Sequence, residues 1–168
     1  PLTQSKSTIQ AGINAMESWA DGGTLSDVGL AWGWRVISPK WQGLWDGVAA
    51  DQPFDYDEQL IDKVVVLLTD GRNDVGNSMS AYGVFSSGSA AVAQENQSNT
   101  NIGTLCTAMK AEGIIIYTIT FNVSGSIQSI YENCATSSAH YFDSPSNDDL
   151  DDVFNAIGDS LSNLRISQ

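Results

Sequence analysis

Lys63-Val64-Val65-Val66-Leu67-Leu68-Thr69-Asp70-Gly71 is the stretch from which the fold of this chain is read. Its run of apolar residues, β-branched first and Leu later, has the pattern of a strand buried on both faces in a parallel sheet flanked by helices. The run therefore predicts a central strand. At its C-terminal end Asp70 stands where an open α/β sheet presents its ligand crevice, and Gly71 lets the chain leave sharply.

Downstream, residues 72–99 are rich in Ser, Gly and Asn and read as a long loop at the same end of the sheet as Asp70, the kind of segment that is functional or disordered in a compact domain. A helix is predicted from Thr100 or Asn101, carrying Leu105, Cys106 and Met109, with Gly113 in the left-handed position after its end. A second buried strand follows over residues 114–121. Then come a helix through Ile127, Ile130, Tyr131 and Cys134 and a short strand over 140–142. The last helix has Leu150, Val153, Phe154, Ile157, Leu161 and Leu164 on one stripe, Ser146 and Asp149 spaced as a cap, and Arg165 at its end. This alternation specifies an α/β class: a doubly wound, Rossmann-like parallel sheet with helices on both faces, joined by right-handed crossovers.

Upstream, Ile9, Ile13 and Met16 recur at helical spacing, so residues 3–19 read as an amphipathic helix capped by Thr3 or Ser5 and stopped by Asp21-Gly22-Gly23. That turn delivers Thr24 just before a second helix over 26–37, ended by Ser38-Pro39. Leu30 and Trp34 share one face of it. Trp32, Trp34, Trp41 and Trp45 are read as core and loop-packing residues in preference to an aromatic ligand cage. Residues 40–62 form a loop of Gly, Pro and acid that lacks the order of an EF-hand, so it reads as a solvated acidic face.

A chain of 168 residues with 42% apolar content is the size of one domain, with residues 63–168 as regular strand-helix repeats and 1–62 as helices and an acidic loop. Twenty acidic residues against seven basic ones give a charge of -13. No cluster of Lys or Arg is present to neutralise phosphates, which argues against nucleic-acid and anionic-lipid partners and makes a cation the more natural ligand. No apolar run approaches the roughly 20 residues of a membrane span, and the first residues have no signal-like pattern, so the segment is expected to be soluble and not membrane-inserted.

The two cysteines, Cys106 and Cys134, are wrongly spaced for a zinc knuckle or a redox pair. Each falls on a predicted helix flanking the same strand, so a bridge is geometrically reasonable, and two buried free thiols are nearly as consistent with the spacing. Nucleotide binding lacks its phosphate cradle, since no Gly-x-Gly-x-x-Gly or Walker loop occurs. Hydrolytic triads are disfavoured: Gly-x-Ser-x-Gly is missing, and the single histidine, His140, reads as a packing residue at the start of the last strand. What remains is Thr24 and Asp70, oxygen donors at glycine-punctuated turns, which suit Mg²⁺, Mn²⁺ or Ca²⁺ rather than zinc or copper.

The apolar strand ending Thr69-Asp70-Gly71, with Gly22-Gly23-Thr24 upstream, resembles the later part of a von Willebrand factor A (vWA) domain. The resemblance implies a metal-ion-dependent adhesion site (MIDAS) in which Thr24 and Asp70 match the second and third motifs. Leu30-Ala31-Trp32-Gly33-Trp34-Arg35-Val36-Ile37-Ser38-Pro39 with Trp41, and Gly113-Ile114-Ile115-Ile116-Tyr117-Thr118-Ile119-Thr120-Phe121, are similar to the A domains of TadG-type pilus-assembly proteins of bacteria. That likeness covers nearly the whole chain. It implies a Cys106–Cys134 disulfide, like the cysteine pair of those relatives, and a periplasmic or extracellular location in the cell envelope, with the full-length protein membrane-anchored.

The first motif of the adhesion site, Asp-x-Ser-x-Ser, is absent; Thr3-Gln4-Ser5-Lys6-Ser7 has the serine spacing without the acid. The family pattern also places strands before and beside residues 63–69. The chain is therefore expected to be the C-terminal part of one vWA domain, incomplete on its N-terminal side, with that edge covered by the missing part or by another chain. The divalent cation is expected to be weakly held or incompletely liganded by this chain alone.

The function expected from these readings is that of a non-catalytic, metal-dependent binding module in tight-adherence (Flp-type) pilus assembly or surface attachment. Its protein partner would supply an acidic side chain to the metal. The rival readings are a metal-dependent hydrolase or transferase using Asp70, and a purely structural module without metal.

Overall fold

A computed structural model of the chain describes residues 3–17, 23–46, 50–75, 88–123, 125–144 and 146–164. Among these, the elements in order are α1 (Lys6–Asn14), α2 (Ser26–Ile37), a 3-10 turn (Pro39–Trp41), β1 (Val64–Thr69), α3 (Ser89–Ala111), β2 (Ile115–Phe121), α4 (Ser126–Cys134), a second 3-10 turn (Ser138–His140), β3 (Tyr141–Ser144) and α5 (Asn147–Leu164). The three strands form one parallel sheet in the order β1-β2-β3. Helices lie on both faces, so the α/β reading holds.

The register sorts the side chains onto two faces. Val65 pairs with Ile116 and Leu67 with Thr118, and this face is covered by Leu30 of α2, Ile102, Cys106 and Met109 of α3, and Tyr131 and Cys134 of α4. On the other face Tyr117 and Ile119 meet Val153 and Ile157 of α5, with Val64, Ile115 and Phe142 beside them. Between α3 and α4 the two cysteines are joined in a disulfide. Close by, the Lys110 ammonium donates to the carbonyls of Asn133 (2.9 Å) and Ala135 (3.1 Å) and ties the same two helix ends.

Although its apolar run has the pattern of a central strand, β1 pairs only with β2 among the described residues and stands at the edge, as the expected incompleteness of the sheet beside residues 63–69 requires. Val66 is 40% and Leu68 46% exposed, because α5 covers β2 and β3 and stops short of them. Phe154, placed by its spacing on the buried stripe of the last helix, is 47% exposed for the same reason.

The helix expected from Thr100 begins at Ser89. Ala90, Ala91, Ala93, Gln94, Glu95 and Gln97 are good helix formers, and burial of Ala91 and Ser98 against the body of the domain holds the extra turns. Residues 76–87 of the expected loop lie outside the described residues. The first helix is shorter than its apolar spacing suggested, ending at Asn14, and Ser5 is its cap, accepting from the Thr8 amide at 3.3 Å.

His140 lies in the turn before β3 rather than in it, its ring against Tyr117 at 4.6 Å and its Nδ1 bonded to Ser137 Oγ at 2.7 Å. Gly113 has φ +78°, the left-handed conformation expected after the helix end. At the last helix Ser146 Oγ accepts from the Asp149 amide at 3.3 Å, as its capping spacing predicts, while Arg165 lies outside the described residues.

The disulfide closes a loop with a sequence separation of 28, so replacing both cysteines (Cys106→Ala with Cys134→Ala) is expected to lower the unfolding free energy by about 3 kcal/mol. Urea denaturation of the two proteins measures this. Because Lys110 still joins the helix ends, the far-ultraviolet circular dichroism of the folded variant should match the parent.

Candidate functional site

The site is built at the C-terminal end of β1. The Thr69 hydroxyl donates to the Gly71 carbonyl at 3.0 Å, which folds the chain back immediately after the strand and leaves Asp70 at the surface. Three residues after Asp70, Asn73 is 2% exposed and works in two directions. Its Oδ1 accepts from the Ser26 backbone N–H at 2.8 Å, and its Nδ2 donates to Asn99 Oδ1 of α3 at 2.7 Å. Helix α2 has no side-chain cap of its own, because Leu25 occupies the capping position, so Asn73 satisfies a helix-terminal donor from outside. The adjacent Asp74 N–H donates to the Thr24 carbonyl at 2.8 Å. The turn carrying Thr24 and the loop after Asp70 are therefore fastened together.

Behind this junction lies a buried polar knot. Tyr131 of α4 donates its hydroxyl to Ser26 Oγ at 3.0 Å. Asp27, 2% exposed in the first turn of α2, accepts from Ser98 Oγ at 2.5 Å and from Asn101 Nδ2 at 2.9 Å. The carboxylate is thus hydrogen-bonded on both oxygens and sits at the helix end where negative charge is favoured.

Thr24 and Asp70, the two residues singled out from the sequence, line one cleft of about 480 Å³. Ser26 and Thr69 add polar groups to its lining, and Leu68 and Phe121 apolar ones. Thr24 is half-buried and Asp70 exposed. His140 is not part of this cleft: its ring lies tilted against Tyr117, which pairs in register with Val66, and β2 separates it from β1. Gly22, which opens the Thr24 turn, lies outside the described residues.

The donor chemistry fits a hard divalent cation in part. Hydroxyl and carboxylate oxygens are what Mg²⁺, Mn²⁺ and Ca²⁺ take. Among the described residues, however, no group of three or more His, Cys, Asp or Glu comes together to hold an ion. Sequence reasoning missed the residues that position the cleft: Asn73, Ser26, Asp27, Ser98, Asn99 and Asn101. For Asn73 the only local signal is its place three residues after Asp70; for Asp27 it is an acid in the first turn of a helix.

No protein-family model matches the chain, and no curated protein matches it. Among solved structures it is similar to proximal thread matrix protein 1 from the mussel byssus, at 19% identity and TM-score 0.54 over 96% of this chain. A second structure of that protein, described as having a zinc-occupied MIDAS motif, aligns at 20% identity and TM-score 0.55 over 97% of this chain. The chain spans only 29% of the length of that protein. At this identity the likeness shows the fold, which is vWA-like.

Truncating Asn73 to Ala leaves the Ser26 amide and Asn99 without their partner, which is expected to cost about 1–3 kcal/mol of stability. Asn73→Asp keeps the acceptor toward Ser26 but buries a carboxylate against Asn99 Oδ1, so its cost should be at least as large. Urea denaturation ranks the two, and amide hydrogen exchange at Ser26 should quicken more in Asn73→Ala.

Proposed function

We propose that the chain is a non-catalytic binding module that contributes Thr24 and Asp70 to a divalent-cation site shared with other polypeptide. The observation that carries this reading is the meeting of Thr24 and Asp70 in one cleft at the end of an edge strand. Two protein donors alone hold such ions weakly, since these sites take six or more oxygens. A further parallel strand beside β1 would end at the same crevice, where an α/β sheet presents its ligand residues, and would bring the missing donors to Asp70. The exposed side chains of Val66 and Leu68 support that position for it.

In this reading the metal bridges the module to an acidic side chain of a protein partner. The TadG-like stretches 30–39 and 113–121 favour a role in pilus assembly or surface attachment in the bacterial cell envelope, outside the cytoplasm. The disulfide suits that oxidising location. No helix among the described residues is long and apolar enough to cross a membrane.

The test is titration with Mn²⁺, read as paramagnetic broadening of backbone amide signals. The isolated chain should bind with roughly millimolar affinity, the broadening should be confined to the neighbourhoods of Thr24 and Asp70, and Asp70→Ala should abolish it. Tight binding that survives Asp70→Ala, or broadening centred elsewhere, would overturn the assignment.

A further inference from the structure

At the opposite end of α2 from the metal cleft lies a second cavity, of about 320 Å³. Trp34, Trp41 and Tyr56 form its aromatic walls. Trp41 is held in place by its neighbours: it stacks on Trp45 at 5.6 Å and meets Trp32 edge-on at 6.1 Å. These contacts account for the loop-packing role expected of the tryptophans, and only Trp34 reaches the main core. They also leave a rigid aromatic face toward an empty space.

The polar floor of that space is unfinished. Trp34 Nε1 donates to the Tyr56 hydroxyl at 2.7 Å, and Tyr56 donates onward to Ser38 Oγ at 3.0 Å. The Lys40 backbone N–H also donates to Ser38 Oγ, at 3.4 Å. Ser38 is 7% exposed, and its hydroxyl thus accepts twice while its own proton has no acceptor among the described residues. A serine hydroxyl carries one donor and two acceptor sites, so the relay Trp34 to Tyr56 to Ser38 ends in a buried donor at the cavity.

The charge around it is unusual for this chain. Of seven basic residues in a protein of net charge -13, Arg35 and Lys40 line the cavity and Lys63 lies over the Tyr56 ring at 5.3 Å. Lys63 is spent on the Ile37 carbonyl, to which it donates at 2.6 Å, while the Arg35 guanidinium is steadied over Trp32 at 5.1 Å. Glu112 is the acidic residue lining the cavity.

We propose that this cavity binds a small aromatic carboxylate. The ring lies against the aromatic walls, and the carboxylate accepts the Ser38 hydroxyl proton in the field of Arg35 and Lys40. The volume is near the lower end of the roughly 300–1,000 Å³ of small-molecule sites, which suits one ring and its acid group better than a length of peptide. The site is independent of the metal cleft.

Titration of the chain with phenylacetate, followed by tryptophan fluorescence and by the Trp34 indole N–H signal, tests the proposal. Saturable binding is expected, with neutral phenylacetamide about tenfold weaker because it lacks the charge-assisted bond. Ser38→Ala should weaken phenylacetate by about tenfold, Glu112→Gln should tighten it, and raised salt should weaken it. Circular dichroism of Ser38→Ala establishes that the fold is kept. Absence of saturable binding, equal affinity for acid and amide, or indifference to Ser38→Ala in the folded variant would overturn it.

Discussion

The bond from the Ser26 backbone N–H to Asn73 Oδ1 is the constraint on which the rest of the site depends. It joins the first residue of α2 to the loop that leaves β1, across a sequence separation of 47. Such a contact closes a long loop and is made only when the sheet and the helix layer are already in register. Once made, it determines which way Thr24 faces relative to Asp70. Neither of those residues holds the other; both are placed by a neighbour that has no part in the chemistry.

The two faces of the sheet are finished to different degrees. Leu30, Ile102, Met109, Ile116 and Tyr131 close one face around the disulfide, all at 1% exposure or less. On the other, α5 covers β2 and β3 while Val66 and Leu68 of β1 remain open. The cleft lined by Thr24 and Asp70 lies where these two regimes meet, with Leu68 of the open region also in its lining. Its polar half is thus rigidly supported, and its outer half is bounded by whatever lies next to β1.

Elements whose physics is local were legible in the sequence. The cap of the last helix, the Ser38-Pro39 stop and the left-handed Gly113 all reflect short-range preferences, and each is where its residues suggested. The edge position of β1 was legible only through the strands missing from the vWA pattern, because its apolar run by itself reports burial in a complete sheet and not which neighbours this chain provides. The early turns of α3 were misread because Ser and Asn between the alanines imitate loop composition, whereas tertiary burial of Ala91 and Ser98 decides the matter. Thr24 and Asp70, singled out from motif and position, line one cleft. Asn73 and Asp27 carry no such mark, since what distinguishes them is partners 26 to 74 residues away.

The open edge of β1 also governs how the chain behaves as a material. Among the described residues β1 has a strand partner on one side only, and an edge of this kind is a template onto which another copy can add strand to strand. Set against this is a net charge of -13, which keeps copies apart over a distance determined by the surrounding electrolyte. That distance is about 10 Å at 0.1 M ionic strength and about 3 Å at 1 M, so the repulsion fades within the range of ordinary buffers while the edge does not. The chain's acidity is therefore its guard against pairing along that edge, and the guard weakens as ionic strength rises.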